Sequence, residues 1–559
     1  MVENDGRADE GAYGDLPRSW AGRLLRLDPA TAPQRPQAMP VQTTWYLRDR
    51  LLMAGAPGSE GWQVLEELAE ERGLRVSLDA RDERDLELLR QADLPEELAA
   101  ELYAAFGYTA QLENRAIAEP VDVWPVLEAL VDKAGVLASL DHLVVATGIV
   151  GNPYTEPHPY TEPHPYTEPH PYTEPHPYTE PHPYTAPDAV GEYARAGSGG
   201  RSPVAWVGPA PSRRYPDATV DGSGKGPARP VVVVLDTGAG EHPWFVGDTV
   251  VRDPQVLGVP IGPYPPTEPH WRDADVGGMD GRPLTGSLDS CAPHGTFITG
   301  LVHQRCPDST VLACRLYGGD GMIAESDLLT GLRRVLLFHL LGLLGRPGCH
   351  PVDVLTLSLG YYHERPEDAE FDGPFRALLD ALARYGVAVV VSAGNDATTR
   401  PCYPAAFAPR LSSWDPPTPV TPGSWDLPPV VTVGALNPDG STALMSNDGD
   451  WVTALRTGAA VVSTFPVTMN GSLTPTVALR GLRPRETRAT VDPDGFTGGF
   501  GVWSGTSFAA PVMAGDLAEE LLRRRAAGGG GGADWQARAK ERREAAWHAI
   551  VAATGLPLP

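Results

Sequence analysis

The sequence predicts an α/β protein with a mostly parallel central sheet, preceded by a small N-terminal α+β domain on a Pro-rich tether. Three observations predict it. From residue 230 onward, short continuous apolar runs alternate with longer stretches of helical spacing. Before that, one six-residue motif repeats without variation over 154–183. Earlier still, residues 42–150 mix helix-like and strand-like patterns in a globular composition.

Residues 1–41 read as a structureless lead, rich in Pro, Gly and charge without period. In the domain that follows, Trp62, Leu65 and Leu68 give 61–72 a helical spacing. The same pattern predicts helices over 81–91, 95–106 and 124–132, and strands over 74–78 and 142–147. YTEPHP then occurs five times from Tyr154 to Pro183. Proline at alternating spacings of two and four removes donors and restricts the preceding residue, so neither a helix nor a ladder can form. The expectation is an extended linker over 151–229, reaching roughly 90 Å across the repeat at about 3.1 Å per residue. The repeat histidines, 158, 164, 170, 176 and 182, come without a carboxylate or thiolate cage, so spacer is preferred to metal tract.

Val231 to Leu235 is a continuous β-branched run, the signature of a strand buried on both faces. Val352 to Leu357 and Val387 to Val391 look the same, and helical stretches at 295–303, 326–344 and 373–385 lie between or beside them. Alternating β and α predicts a parallel sheet covered on both faces, with reactive groups at the carboxyl ends of its strands. This unit spans 230–527; Gly528 to Gly532 is a hinge, and a charged helix follows from Asp534 to about Ala553. That helix is left open between packing on the main unit, binding a partner and standing in solvent.

Composition narrows the function. The formal net charge is −26, and residues 1–150 alone hold 27 acidic and 14 basic side chains. Such a surface repels nucleic acid and anionic membrane, so neither is an expected partner. The five cysteines, 291, 306, 314, 349 and 402, are odd in number and lack CxxC spacing. Reduced thiols are therefore expected, with no zinc and no disulfide framework. The first residues lack the basic start and apolar core of a secretory signal, and the apolar run 335–344 is too short to span a bilayer. A cytoplasmic location is expected, with secretion by a non-standard route as the alternative.

Three segments carry chemistry. Asp236 ends a buried strand, His294 opens a helix, and Ser507 lies in Gly505-Thr506-Ser507-Phe508-Ala509-Ala510-Pro511 at the start of another. A serine hydroxyl needs a neighbouring base to act as a nucleophile. A helix N-terminus favours the negative charge that develops beside it. His294 would take the Ser507 proton, and Asp236 would hold the other ring nitrogen. Pro511 is expected in the first helical turn, where its missing N–H costs nothing. Each residue alone is weak, since a serine at a helix start is most often a cap.

Together the segments resemble the subtilisin-like serine peptidases, which share the chain order Asp, His, Ser. The resemblance covers about 230 to 525 and implies the family's three-layer α/β fold. It implies that Asn395, in Val391-Ser392-Ala393-Gly394-Asn395, donates to the oxyanion with the Ser507 N–H. It also implies substrate contacts at Ser358, Leu359, Gly360, Ala393 and Gly394, and a pocket wall at Pro404-Ala405-Ala406. Val431 to Ala435 and Ser446-Asn447 resemble later family strands. The related sedolisins use Glu, Asp and Ser instead, which His294 and Asn395 argue against. Asp236 and His294 are 58 residues apart, which is long for the family, and a second insertion at about 467–498 precedes the serine block. No cofactor is required for the chemistry; structural calcium is common in such loops of the family, but no site maps here.

The implied activity is a serine endopeptidase acting on proteins or peptides. The alternative is a catalytically silent binding or scaffold protein with the same fold. The N-terminal domain holds the place of a propeptide that could bind its own cleft. Its size favours a permanent partner-binding domain.

Overall fold

The structure, a computed structural model, describes residues 22–33, 40–115, 120–134, 138–146, 200–279, 286–365, 373–471, 495–528 and 532–559, with a few isolated positions between them. The whole repeat and most of the 467–498 insertion lie outside these residues.

The central sheet has seven parallel strands. Their order is Ala454–Thr457, Val431–Leu436, Ala388–Ser392, Val354–Leu357, Val231–Asp236, Thr310–Arg315 and Val250–Arg252. Strand alternation explains the continuous apolar run at 231–235. Val231, Val233 and Leu235 pack with the helices Glu325–Leu343 and Gly373–Arg384; Val232 and Val234 pack with His294–Arg305 and Thr506–Ala526. The sheet is thus the middle of three layers, and the two helices whose first turns hold His294 and Ser507 lie on the same face.

The C-terminal helix, Trp535–Thr554, packs onto that layer through Ala546, Ala549 and Ile550. Asp534 caps its start by accepting from the Ala537 N–H at 2.8 Å, and Gly555 ends it at φ +77°. No helix among the described residues is long and apolar enough to cross a membrane.

The N-terminal region forms the expected small α+β domain, built on an antiparallel sheet, and it is docked on the main unit. Ala138–Ala146 pairs with Thr44–Met53 on one side, followed by Tyr108–Asn114 and Leu74–Leu78. Its last four residues, Leu143–Ala146, lie between two strands of the main unit, one on each side. Val145, Val144 and Leu143 face Met322, Ile323 and Ala324; Ala146 and Val145 face Leu359 and Gly360. One continuous sheet therefore joins the two regions. Two expectations need correction. Leu24–Leu27, placed in the structureless lead, pairs with Thr44–Leu47, because an apolar LLRL segment can cover a sheet edge. Ser202–Val204, placed in the linker, pairs with Phe500–Val502 of the main unit.

Buried charge holds the two regions together. Arg333 donates to Asp82 at 2.5 Å, to Asp85 at 3.3 Å and to the Phe106 and Gly107 carbonyls, with its guanidinium 4.1 Å from the Phe106 ring centroid. Arg365 grips Glu128 through two bonds of 2.8 and 3.0 Å. His142 lies fully buried, 2.7 Å from Glu325 and 2.9 Å from Glu364. Burial opposes a charged ring, but the Glu325 and Glu364 carboxylates outweigh it and raise its pKa to about 10. With His363 this cluster has the composition of a metal site. Both His142 nitrogens are already engaged by carboxylates, which suits an imidazolium and leaves no lone pair for a metal.

Removing one partner of such a buried pair strands the other charge. Arg333→Ala is expected to destabilise the docked structure by about 3–5 kcal/mol. A lower urea midpoint at unchanged slope checks this; an unchanged midpoint contradicts it.

Candidate active site

Asp236 is the last residue of its strand, so its carboxylate stands at the carboxyl end of the sheet. Its oxygens are fully engaged. The Thr237 N–H donates to Oδ1 at 2.8 Å, the Tyr317 hydroxyl donates to Oδ2 at 2.7 Å, and His294 Nδ1 lies 3.0 and 2.8 Å from the two. These bonds make Nδ1 the protonated nitrogen of His294. Nε2 lies buried with no hydrogen-bond partner among the described residues. The imidazole is boxed by the Trp503 and Phe508 rings, at 5.6 and 5.3 Å between centroids.

Ser507 is the second residue of the Thr506–Ala526 helix and is buried. Pro511 lies in the second turn of this helix, one turn later than expected. Its missing N–H leaves the carbonyl four residues back, that of Ser507, without its helical donor. The Ser358 hydroxyl supplies it, donating to the Ser507 carbonyl at 2.9 Å. Ser358 therefore steadies the serine, while Leu359 and Gly360 provide the strand edge.

Asn395 reaches the same turn. Its Oδ1 accepts from the Thr506 N–H at 2.8 Å and the Thr506 hydroxyl at 2.9 Å. That fixes the flip of the amide, so its NH₂ end is the one presented as a donor. Gly394 before it has φ +105°, and a Cβ there would stand 2.2 Å from Asn447 Nδ2. Asn447 ties down the whole turn. It donates to the Ala393 carbonyl and the Tyr362 hydroxyl, and its Oδ1 accepts from the Asp396 and Thr398 N–H groups. Ala405 anchors the 404–406 wall, its carbonyl accepting from the Thr432 hydroxyl at 2.7 Å.

Sequence reasoning did not single out Tyr317, nor assign Asn447 and Thr506 a role. Asp275 was equally silent, and it comes from the first insertion. It accepts from the Thr296 N–H at 3.1 Å and from the Thr296 hydroxyl, bracing the helix that begins at His294. Burial raises its pKa to about 6, against the pull of Arg315. A carboxyl whose folded pKa is raised contributes stability below its unfolded value near 4 and loses that contribution as pH rises through about 6. Asp275→Asn is expected to remove a loss of roughly 3 kcal/mol between pH 4 and 6. Urea midpoints of both proteins across that range check this; parallel curves would contradict it.

The register gives the groove a direction. Ser358 touches Ser507, and Leu359–Gly360 leads away from it. The Ala138–Ala146 strand runs antiparallel to that edge, with Ala146 opposite Leu359. It therefore arrives at Ser507 with its carboxyl end, as the acyl half of a peptide would. The Ala146 N–H adds a bond to the Gly321 carbonyl at 2.8 Å.

A model of the subtilase family matches residues 228–527. Among solved structures, a cold adapted subtilisin-like serine proteinase shows 19% identity over 57% of this chain and 82% of its own, at a TM-score of 0.31. A lanthipeptide protease shows 18% identity over 56% of this chain and 87% of its own, at a TM-score of 0.34. No curated protein sequence matches. The matched segment is more than half of the chain, and it contains Asp236, His294, Asn395 and Ser507; the protein belongs to the subtilase family of serine peptidases.

Proposed function

We propose that this protein is a serine endopeptidase that hydrolyses peptide bonds through an acyl-enzyme. The observation that carries the reading is the buried Asp236–His294 pair beside the helix start that holds Ser507, at the end of a groove already occupied by an extended strand. Ser507 Oγ attacks the carbonyl carbon while His294 Nε2 takes its proton. Asp236 keeps Nδ1 protonated and stabilises the imidazolium. The Asn395 amide and the Ser507 N–H stabilise the tetrahedral oxyanion. His294 then protonates the leaving amine, and water repeats the sequence on the acyl-enzyme. Leu359 and Gly360 pair with the substrate backbone, with Ala393 and Gly394 beside the reacting bond.

In this reading the N-terminal domain inhibits its own cleft, because its last strand fills the acyl side. That occupancy favours the propeptide-like role over the partner-binding one. A cut within 147–199 would separate the domain from the peptidase. The five buried, unpaired cysteines suit a reducing compartment and support a cytoplasmic location.

A fluorophosphonate probe tests the activity. After the linker is cut and the N-terminal domain removed, the wild type is expected to be labelled and Ser507→Ala is not. Absence of label on the wild type would leave the catalytically silent binding protein as the better account.

A further inference from the structure

The other side of Ser507 is also covered by the chain itself. Ser202–Val204 runs antiparallel to Phe500–Val502, with Ser202 opposite Val502 and Val204 opposite Phe500. Continuing that register sets Arg201 opposite Trp503 and Gly200 opposite Ser504. The Arg201 guanidinium lies 4.9 Å from the Trp503 ring centroid, as this register requires. Ser504 is three residues from Ser507, and Trp503 packs against His294. This strand therefore begins beside the nucleophile and leads away from it, the direction that the leaving half of a peptide would take.

The strand is fastened to the peptidase, not to the N-terminal domain. Arg201 donates to the Asp289 and Ala292 carbonyls at 2.8 and 2.6 Å. The attachment continues along the following chain. The Trp244 indole donates to the Gly208 carbonyl at 3.1 Å, and the Arg214 and Tyr215 N–H groups donate to Asp308 at 3.0 and 2.9 Å. A cut within 147–199 frees the strand that fills the acyl side and leaves this one covalently in place.

We infer that residues 200–204 are a permanent wall on the leaving-group side of the cleft, and that this wall narrows the proposed endopeptidase to bonds close to the carboxyl end of a peptide. By the register alone, Gly200 stands opposite Ser504, three positions before Ser507, so a leaving segment of about two extended residues at ~3.3 Å each reaches the wall. A longer leaving segment must displace a paired strand and the Arg201 anchor. The substrate class is a peptide with an extended acyl side and a leaving segment of about two residues. The inference rests on the peptidase reading above.

The test uses the full chain with its linker cut by a site-specific protease and the Arg333→Ala substitution added to loosen the N-terminal domain. Peptides share one acyl side and carry one, two, four or six residues after the cleaved bond. Fluorophosphonate labelling is measured in parallel. The expected result is a kcat/KM at least ten-fold lower for four and six residues than for two, with Arg201→Ala narrowing the gap. Equal rates along the series overturn the wall. So does labelling without hydrolysis of the short peptides. Failure to label at all instead sinks the peptidase reading and removes the basis for the wall with it.

Discussion

Ser507→Ala is expected to lower kcat for peptide hydrolysis by about a millionfold, the loss that subtilisin itself shows for its triad serine. The serine and histidine act as one unit, so a Ser507→Ala, His294→Ala double variant should be scarcely worse than either single one. What survives in each is the turn around Asn395, held by Thr506 and Asn447, which still offers donors to a developing oxyanion. The residual rate should therefore remain above that of water alone by about 10³-fold. Single-turnover assays on the released enzyme check both statements. A double variant that loses the product of the two single losses would show that Ser507 and His294 work independently, which the mechanism forbids.

Asp236→Asn is expected to cost about 10⁴ in kcat at neutral pH with the fold intact. Asp236 accepts from His294, Tyr317 and Thr237 at once. An asparagine keeps one acceptor oxygen, which the Tyr317 hydroxyl or the Thr237 N–H can hold. Its NH₂ group then faces Nδ1 and demands an acceptor there, which moves the ring proton to Nε2. The imidazole is still present and still boxed by Trp503 and Phe508, but the nitrogen that should take the Ser507 proton already carries one. A steady-state kcat within ten-fold of wild type, with the thermal midpoint unchanged, would rule this role out.

Much of the main unit was legible from local pattern. The strand at 231–235 and the helices at 295–303, 326–344 and 373–385 are found within a residue or two of their expected ends. Buried runs and helical spacing are short-range signals, and both hold in a large layered core. Pro511 shows the limit of local reasoning. Proline belongs in a first turn by propensity, yet here it sits in the second, because the orphaned Ser507 carbonyl finds a donor in Ser358, distant in sequence.

The strands at 24–27 and 202–204 were illegible for a related reason. Each is three or four residues long, and each is stabilised by the edge it meets. Tyr317 and Asp275 carry no signal either. Their roles come from where two loops bring them relative to Asp236 and Thr296, and no spacing encodes that.

The sequence by itself determined the candidate residues. Asp236, His294, Asn395 and Ser507 are placed by strand ends and helix starts, which local residue patterns specify. Only the tertiary structure decided the state of the cleft. Leu143–Ala146 pairs with Met322–Ala324 and Leu359–Gly360, and Ser202–Val204 with Phe500–Val502, because both fill strand edges whose N–H and C=O groups would otherwise be unpaired. Edge pairing joins residues hundreds of positions apart, and the shape and register that select it exist only once the sheets have formed.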